Sequence, residues 1–218
     1  MDLQQYFLKK DAPFPPISVV GDDDIIALGG ELTPERLIEA YHKGIFPYYD
    51  FRTEFPVWVC PLDRFVIFPK EIHVSHSMRT LINSGKYHVT FNESFDEVIR
   101  CCAAVDGRIF EDGAWLGPNI VTTYTALHRM GLVQSVEVRK DDGTIVGGLY
   151  GVTLGHCFFG ESMFSFEPSA SKLALIALSR KMVADGWHMI DCQYETPHLL
   201  TMGGRHIPYQ EYMTYITN

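Results

Sequence analysis

Two short apolar segments carry polar groups that an ordinary core strand would exclude. The first is Phe158-Phe159-Gly160-Glu161-Ser162-Met163-Phe164, and the second is Met189-Ile190-Asp191-Cys192-Gln193. A carboxylate inside such a run is costly to bury unless it is paired or used. Residues two apart in an extended chain face the same way, so Asp191 and Gln193 are predicted to share a face. One buried acid is ordinarily structural. Glu161, Asp191 and the amide of Gln193 at the ends of neighbouring strands point instead to a site. An amide is a poor base, so the chemistry of such a group is orientation and hydrogen bonding rather than outright proton removal.

Familiar catalytic patterns are absent from the sequence. It holds no G-x-S-x-G, no G-x-x-x-x-G-K phosphate loop and no H-E-x-x-H. Gly147-Gly148-Leu149-Tyr150-Gly151 lies within a strand pattern rather than before a helix, and is read as close backbone packing. Leu175, Leu178 and Met182 fall on one helical face at i, i+3 and i+7. Tyr41, Phe46, Tyr48 and Trp115 suit either a core or a stacking platform for a base, and spacing does not separate the two.

These residues need elements to hold them. Thr33-Pro34 opens a helix that Gly44 ends, followed by an aromatic loop through Tyr49. Residues 64–68 and 87–91 are strand candidates, and Ser94 with Glu97 suggests a capping box. A helix runs from Pro118 to Gly131, then strands follow at 133–139, 144–152 and 157–161, with a turn at Lys140–Gly143. A long helix over about 169–185 and a strand over 187–193 precede two short helices opened by Pro197 and Pro208. The layout predicts an α+β fold, helices on a mainly antiparallel sheet, with a small domain over 1–90 and a catalytic domain over 91–218.

Composition limits the function classes. The chain has 218 residues, 46% of them hydrophobic and 21% charged, as in ordinary globular proteins. No stretch is apolar for long enough to cross a bilayer, and the N-terminus has no secretory pattern, so the expected compartment is the cytoplasm. Five cysteines without a C-x-x-C argue against a disulfide framework or structural zinc. A net charge of −9 disfavours a wide nucleic-acid grip and restricts any such contact to a local patch.

Ile26-Ala27-Leu28-Gly29-Gly30-Glu31-Leu32-Thr33-Pro34 and Ala40-Tyr41-His42-Lys43-Gly44-Ile45-Phe46-Pro47 resemble the N-terminal signature of the leucyl/phenylalanyl-tRNA–protein transferases. Gly148-Leu149-Tyr150-Gly151, Phe159 to Phe164, Ala170-Ser171-Lys172 and Ile190-Asp191-Cys192-Gln193 resemble its later signatures, in the same order. The resemblance implies a larger domain similar to the GNAT (acyl-CoA N-acyltransferase) fold and no cofactor or metal; nothing in the sequence suggests a dimerisation element, so a monomer is expected. It implies transfer of Leu, Phe or Met from aminoacyl-tRNA to a protein whose N-terminal residue is Arg or Lys, marking the product for degradation. Asp191, Gln193 and Glu161 then fall at catalytic positions. Asp191 would orient Gln193, whose carbonyl oxygen would accept a hydrogen bond from the attacking amine, while Glu161 and Asp191 would attract a basic side chain. Replacing Asp191 with Ala is expected to abolish transfer and leave the fold intact. Leu149, Leu175, Leu178, Met182 and Ile190 would form the aminoacyl pocket. Tyr41, Tyr48, Trp115, Ser162 and Met163 would receive the terminal adenosine, and Arg79 and Lys86 the tRNA backbone.

The match departs from the family in a thin basic patch over 73–88, in Tyr209 after Ile207-Pro208, and after Trp115. Three other functions fit parts of the pattern. An acyl-CoA N-acetyltransferase would need a pyrophosphate loop that Phe166–Ser171 lacks. A tRNA-dependent transferase acting on cell-wall peptide and a non-catalytic adaptor for basic N-termini are separated from the main reading by the acceptor used and by whether transfer occurs.

Overall fold

The computed structural model describes residues 6–9, 12–50, 55–105 and 118–217. Trp115 lies outside the described residues. Two sheets organise the described residues. The first has four strands in the order β1-β2-β4-β3, from β1 (Phe7–Leu8), β2 (Ile25–Gly29), β3 (Phe46–Asp50) and β4 (Phe55–Val59). The second has seven, in the order β11-β5-β10-β9-β8-β7-β6. Its members are β5 (Asp63–Ile67), β6 (His88–Phe91), β7 (Val133–Arg139), β8 (Ile145–Leu154), β9 (Cys157–Ser165), β10 (Met189–Asp191) and β11 (Arg205–Pro208). Sheet membership thus changes between Val59 and Asp63. Every pair in the larger sheet is antiparallel except β9 with β10, which run parallel. The mixed α+β layout is the one predicted.

Alternation along β7 explains how the larger sheet is covered. Val136 and Val138 face α5 (Ala170–Ala184) and join its Leu173, Leu175, Leu178 and Met182 in one apolar cluster. Ser135 and Glu137 face the other way. There Glu137, fully buried, accepts from Ser135 Oγ at 2.6 Å and Thr90 Oγ1 at 2.7 Å. A second cluster lies on that side, with α3 (Phe95–Val105), α4 (Pro118–Arg129) and α1 (Pro34–Tyr41).

Local signals hold in most places. Thr33 Oγ1 caps α1 by accepting from Arg36 N–H at 3.2 Å, with Pro34 at the first helical position. Gly44, at φ +70°, closes the turn after α1, and a Cβ there would sit 2.9 Å from the Tyr212 ring. The glycines of β8 serve close packing as read. A Cβ on Gly147 would lie 2.4 Å from Ala170 Cβ, and one on Gly151 would lie 2.2 Å from the Phe159 carbonyl oxygen.

Three local expectations change. The aromatic loop after Gly44 is strand β3, paired with β4. The Ser94 capping box does not form in the predicted way. Arg139 Nη2 donates to Ser94 Oγ at 2.6 Å and the Ser94 N–H points to Glu137 Oε1, so a residue distant in sequence takes the part assigned to Glu97. The strand expected over 187–193 spans only Met189–Asp191. Further elements were not anticipated: β1, β2 and β4 of the smaller sheet, α2 (His76–Asn83), and edge strand β11 of the larger one.

Candidate active site

The site begins where β9 and β10 part company. They pair in parallel through Asp191 and Phe159, and then β10 stops. The Gln193 N–H donates to Asp191 Oδ1 at 2.8 Å and Gln193 adopts a left-handed φ of 65°, which turns the chain out of the sheet. β9 continues to Ser165 beside β8, with a bulge at Tyr150/Gly151. Ser162 pairs with Tyr150 and Gly160 with Gly151, so Glu161 is the residue without a partner across the strand. A bulge re-aims the side chain it carries. Here it sends Glu161 toward α1 and α4.

A cavity of about 310 Å³ opens in this gap. Leu149, Phe158, Met163, Leu175, Ile190 and Leu199 give it apolar walls, and Glu161, Asp191, Gln193 and Ser162 add polar groups. Of the residues expected to form the aminoacyl pocket, Leu149, Leu175 and Ile190, on three different elements, line this cavity. Leu178 and Met182 do not line it and are packed in the core behind. At 1.5 Å per residue, Met182 lies about 10 Å along α5 from Leu175, beyond the cavity. Ser171, one turn before Leu175, lines it instead, as do Thr196 and His198 next to and in α6 (Pro197–Thr201).

Asp191 is fully buried and held by a cation that sequence reasoning did not single out. Arg64 in β5 donates from Nε to both carboxylate oxygens, at 3.0 and 3.1 Å, and from Nη2 to Oδ2 at 2.9 Å. Tyr212 in α7 (Tyr209–Ile216) donates to Oδ2 at 2.8 Å. The guanidinium carbon lies over the rings of Phe46 and Tyr212, 4.6 and 4.8 Å from their centroids. Burial alone would lower the Arg64 pKa, but Asp191 raises it well above its usual value. This corrects two expectations. Asp191 is already matched by a cation, so its charge is not free to attract a basic side chain. Its removal would also leave Arg64 buried and uncompensated, so the fold would not be spared.

Glu161 is 7% exposed and sits within a cage of hydroxyls. Tyr41 Oη donates to its Oε1 at 2.6 Å, and Tyr124 Oη, on α4, lies 2.7 Å from Oε2. Gln193 Nε2 donates to Oε1 at 3.4 Å, leaving the amide oxygen as the acceptor end. Burial pushes the Glu161 carboxyl up to about 7, against the pull of the two tyrosine hydroxyls, with Asp191 raising it and Arg64 lowering it further. Tyr41 is 1% exposed and has no open ring face for a base, which corrects its assignment as an adenosine platform. It serves Glu161 instead. Tyr124 stands at core spacing with Leu127 in the helix expected from Pro118, and that spacing does not distinguish it from ordinary core.

The remaining predicted contacts are scattered. Tyr48 is 53% exposed on β3, and Met163 lines the cavity with Ser162. Arg79 is exposed on α2. Lys86 pairs with Glu167 at 2.9 Å, and Lys140 and Tyr87 also engage that carboxylate, so Lys86 is not a free phosphate ligand.

Comparison with known proteins follows the same division of the chain. Residues 66–217 match the family model described as leucyl/phenylalanyl-tRNA protein transferase, and residues 30–62 match the model of that enzyme's N-terminal domain. The chain is 46% identical over 209 residues to the leucyl/phenylalanyl-tRNA–protein transferase of Syntrophus aciditrophicus, covering 96% of this chain and 86% of that one. It is 44% identical over 203 residues to that of Nitrosomonas eutropha, covering 92% and 85%. It is 41% identical over 211 residues to that of Flavobacterium johnsoniae, covering 97% and 98%. On this agreement across nearly its whole length, the chain belongs to the leucyl/phenylalanyl-tRNA protein transferase family.

Proposed function

We propose that this chain moves Leu, Phe or Met from aminoacyl-tRNA to the α-amine of a protein that begins with Arg or Lys, and that the product is thereby marked for degradation. The observation that carries this reading is the apolar cavity whose wall holds Glu161, Asp191 and Gln193 together, in a chain matched to the family over nearly its full length. The amino acid arrives as an activated ester, so no enzyme nucleophile is required. The protein must hold the ester carbonyl near a neutral amine and steady the charge that develops.

The residues divide that work. Leu149, Leu175 and Ile190, with Phe158 and Met163, receive the aminoacyl side chain, and an apolar wall separates side chains mainly by size. The pair of Asp191 with Arg64 fixes the turn that presents Gln193. Gln193 then offers its carbonyl oxygen to the attacking N–H. Ser162, Met163 and Tyr48 would receive the tRNA end, and Arg79 its backbone. The larger sheet supports a GNAT-like catalytic domain. The change of sheet between Val59 and Asp63 supports placing the boundary of the small domain ahead of residue 90. A cytoplasmic monomer acting without cofactor completes the reading.

The test is incubation with labelled Leu-tRNA and two peptides, one starting with Arg and one with Ala. Label should pass to the Arg peptide alone. Equal labelling of both peptides, or of neither, would overturn the acceptor or the reaction respectively.

A further inference from the structure

Three oxygen contacts around Glu161 form a closed triangle. Tyr41 Oη to Oε1 is 2.6 Å, Tyr124 Oη to Oε2 is 2.7 Å, and the two hydroxyl oxygens are 2.8 Å apart. Each is a hydrogen-bond distance and needs one proton between its oxygens. A tyrosine hydroxyl carries a single proton, so the phenols supply two of the three. Neither phenol is ionised, since burial and the nearby carboxyl push both well above the usual tyrosine range. An ionised Glu161 would leave one pair of oxygens facing each other at 2.8 Å or less with no proton between them. In a buried site that contact is repulsive. A third proton on the carboxyl closes the ring. Oε1 already receives Tyr41 and Gln193 Nε2, so Oε2 is the oxygen that carries it.

We propose that Glu161 is a neutral carboxylic acid in the resting protein, its proton held in a ring with Tyr41 and Tyr124, and that this ring stores the proton exchanged during aminoacyl transfer. Its role in transfer rests on the function proposed above, whereas the stored proton does not. Within the ring Oε2–H donates to Tyr124, Tyr124 to Tyr41 and Tyr41 to Oε1. Shifting each proton one place reverses the ring and puts the acid proton on Oε1, the oxygen beside Gln193. Glu161 is the only one of the three that lines the cavity. Other groups bear on its charge from the surrounding elements: Asp191 on β10 and Arg64 on β5, themselves paired, Tyr212 on α7 against Asp191, and Tyr150 on β8.

The exchange balances. The amine nitrogen bonds to the ester carbon and the carbonyl π pair moves to its oxygen. When that adduct collapses, the pair reforms the carbonyl and the C–O bond to the ribose breaks with its electrons on the ribose oxygen. That oxygen takes the Glu161 proton. The nitrogen, now carrying one proton too many, returns one to the Glu161 carboxylate. No proton is gained or lost overall, and no co-reactant is needed.

Infrared spectroscopy of the intact protein near pH 6, subtracting Glu161→Gln, tests the stored proton without any substrate. The difference should contain the carbonyl stretch of a protonated carboxylic acid, which should move to higher frequency in Tyr124→Phe and fade as pH rises through about 7. The absence of a band lost in Glu161→Gln would overturn the proposal. Single-turnover transfer from Leu-tRNA tests its use. Divided by the neutral fraction of the acceptor α-amine, whose pKa is about 8, the wild-type rate should fall above about pH 7, and Glu161→Gln, treated in the same way, should be slower by about 100-fold with little dependence on pH. A wild-type profile that stays flat through this range would overturn the transfer role. A chain that shows the band but transfers nothing would instead remove the aminoacyl-transfer reading and leave the ring standing. A thermal melt of each variant confirms that it is folded at the pH used.

Discussion

Arg64→Met separates the stability of the buried ion pair from its chemistry. The substitution keeps an unbranched apolar stem but removes two N–H groups, Nε and Nη2, that make three contacts to Asp191. Asp191 retains the Tyr212 hydroxyl and the Gln193 N–H, yet remains a fully buried carboxylate without its cation. Removing one partner of a buried pair costs about 3–5 kcal/mol. For a chain of this length that lowers the melting temperature by about 6–20 °C. Replacing both charges, as Arg64→Met with Asp191→Leu, leaves only the Tyr212 and Gln193 donors without an acceptor, at about 1 kcal/mol each. The double variant should therefore recover all but about 2 kcal/mol of the loss. Urea unfolding followed by tryptophan fluorescence would measure the four corners of this cycle. If Arg64→Met lies within about 1 kcal/mol of wild type, the account of Arg64 as an obligatory counter-charge is wrong.

The raised Glu161 carboxyl also links stability to pH. Its folded value, about 7, exceeds the ordinary 4.5, so the native state binds the extra proton between these limits. The stability this gives is complete below about pH 4.5 and is lost as pH rises through about 7. Relative to Glu161→Gln, wild type should lose about 3 kcal/mol between pH 4.5 and pH 8 in urea unfolding, and a constant difference would contradict this. Leu175→Phe should fill the cavity and discriminate against Phe-tRNA relative to Leu-tRNA by about tenfold or more in competition assays. Leu178→Ala, behind the wall, should cost about 2–5 kcal/mol of stability and leave that ratio unchanged. Gly151→Ala should cost about 1–3 kcal/mol, because its Cβ would lie 2.2 Å from the Phe159 carbonyl oxygen at the bulge that aims Glu161.

Much of this was legible because local chemistry and burial agree. Thr33-Pro34 is a helix start on any reading, and polar groups within apolar runs marked Glu161, Asp191 and Gln193. The route to Gln193 was not legible. Strand alternation assumed that β10 continues, whereas Asp191 captures the next turn and sends Gln193 to a left-handed φ. The bulge at Glu161 depends on its pairing with β8, which no single segment encodes. Arg64 carried a usable signal. It opens the apolar run Arg64-Phe65-Val66-Ile67-Phe68, and the reasoning that made Asp191 conspicuous also demands a buried partner for it. Tyr124 gave no such warning, since a tyrosine at core spacing satisfies the helix pattern with its ring and conceals the use of its hydroxyl. Leu178 and Met182 show the reverse limit: periodicity identifies a shared face but not where along that face a cavity ends.

The span of chain gathered around Asp191 has a consequence for how the protein fails. Arg64 and the Tyr212 that joins it lie 148 positions apart, and Tyr41 meets Glu161 across 120. Among the described residues, no hairpin or helix pair contains both halves of either contact. A partly melted molecule therefore keeps no functioning fragment, and loss of turnover on heating should track the cooperative transition rather than precede it. Amide protons near the ion pair should exchange only through global opening.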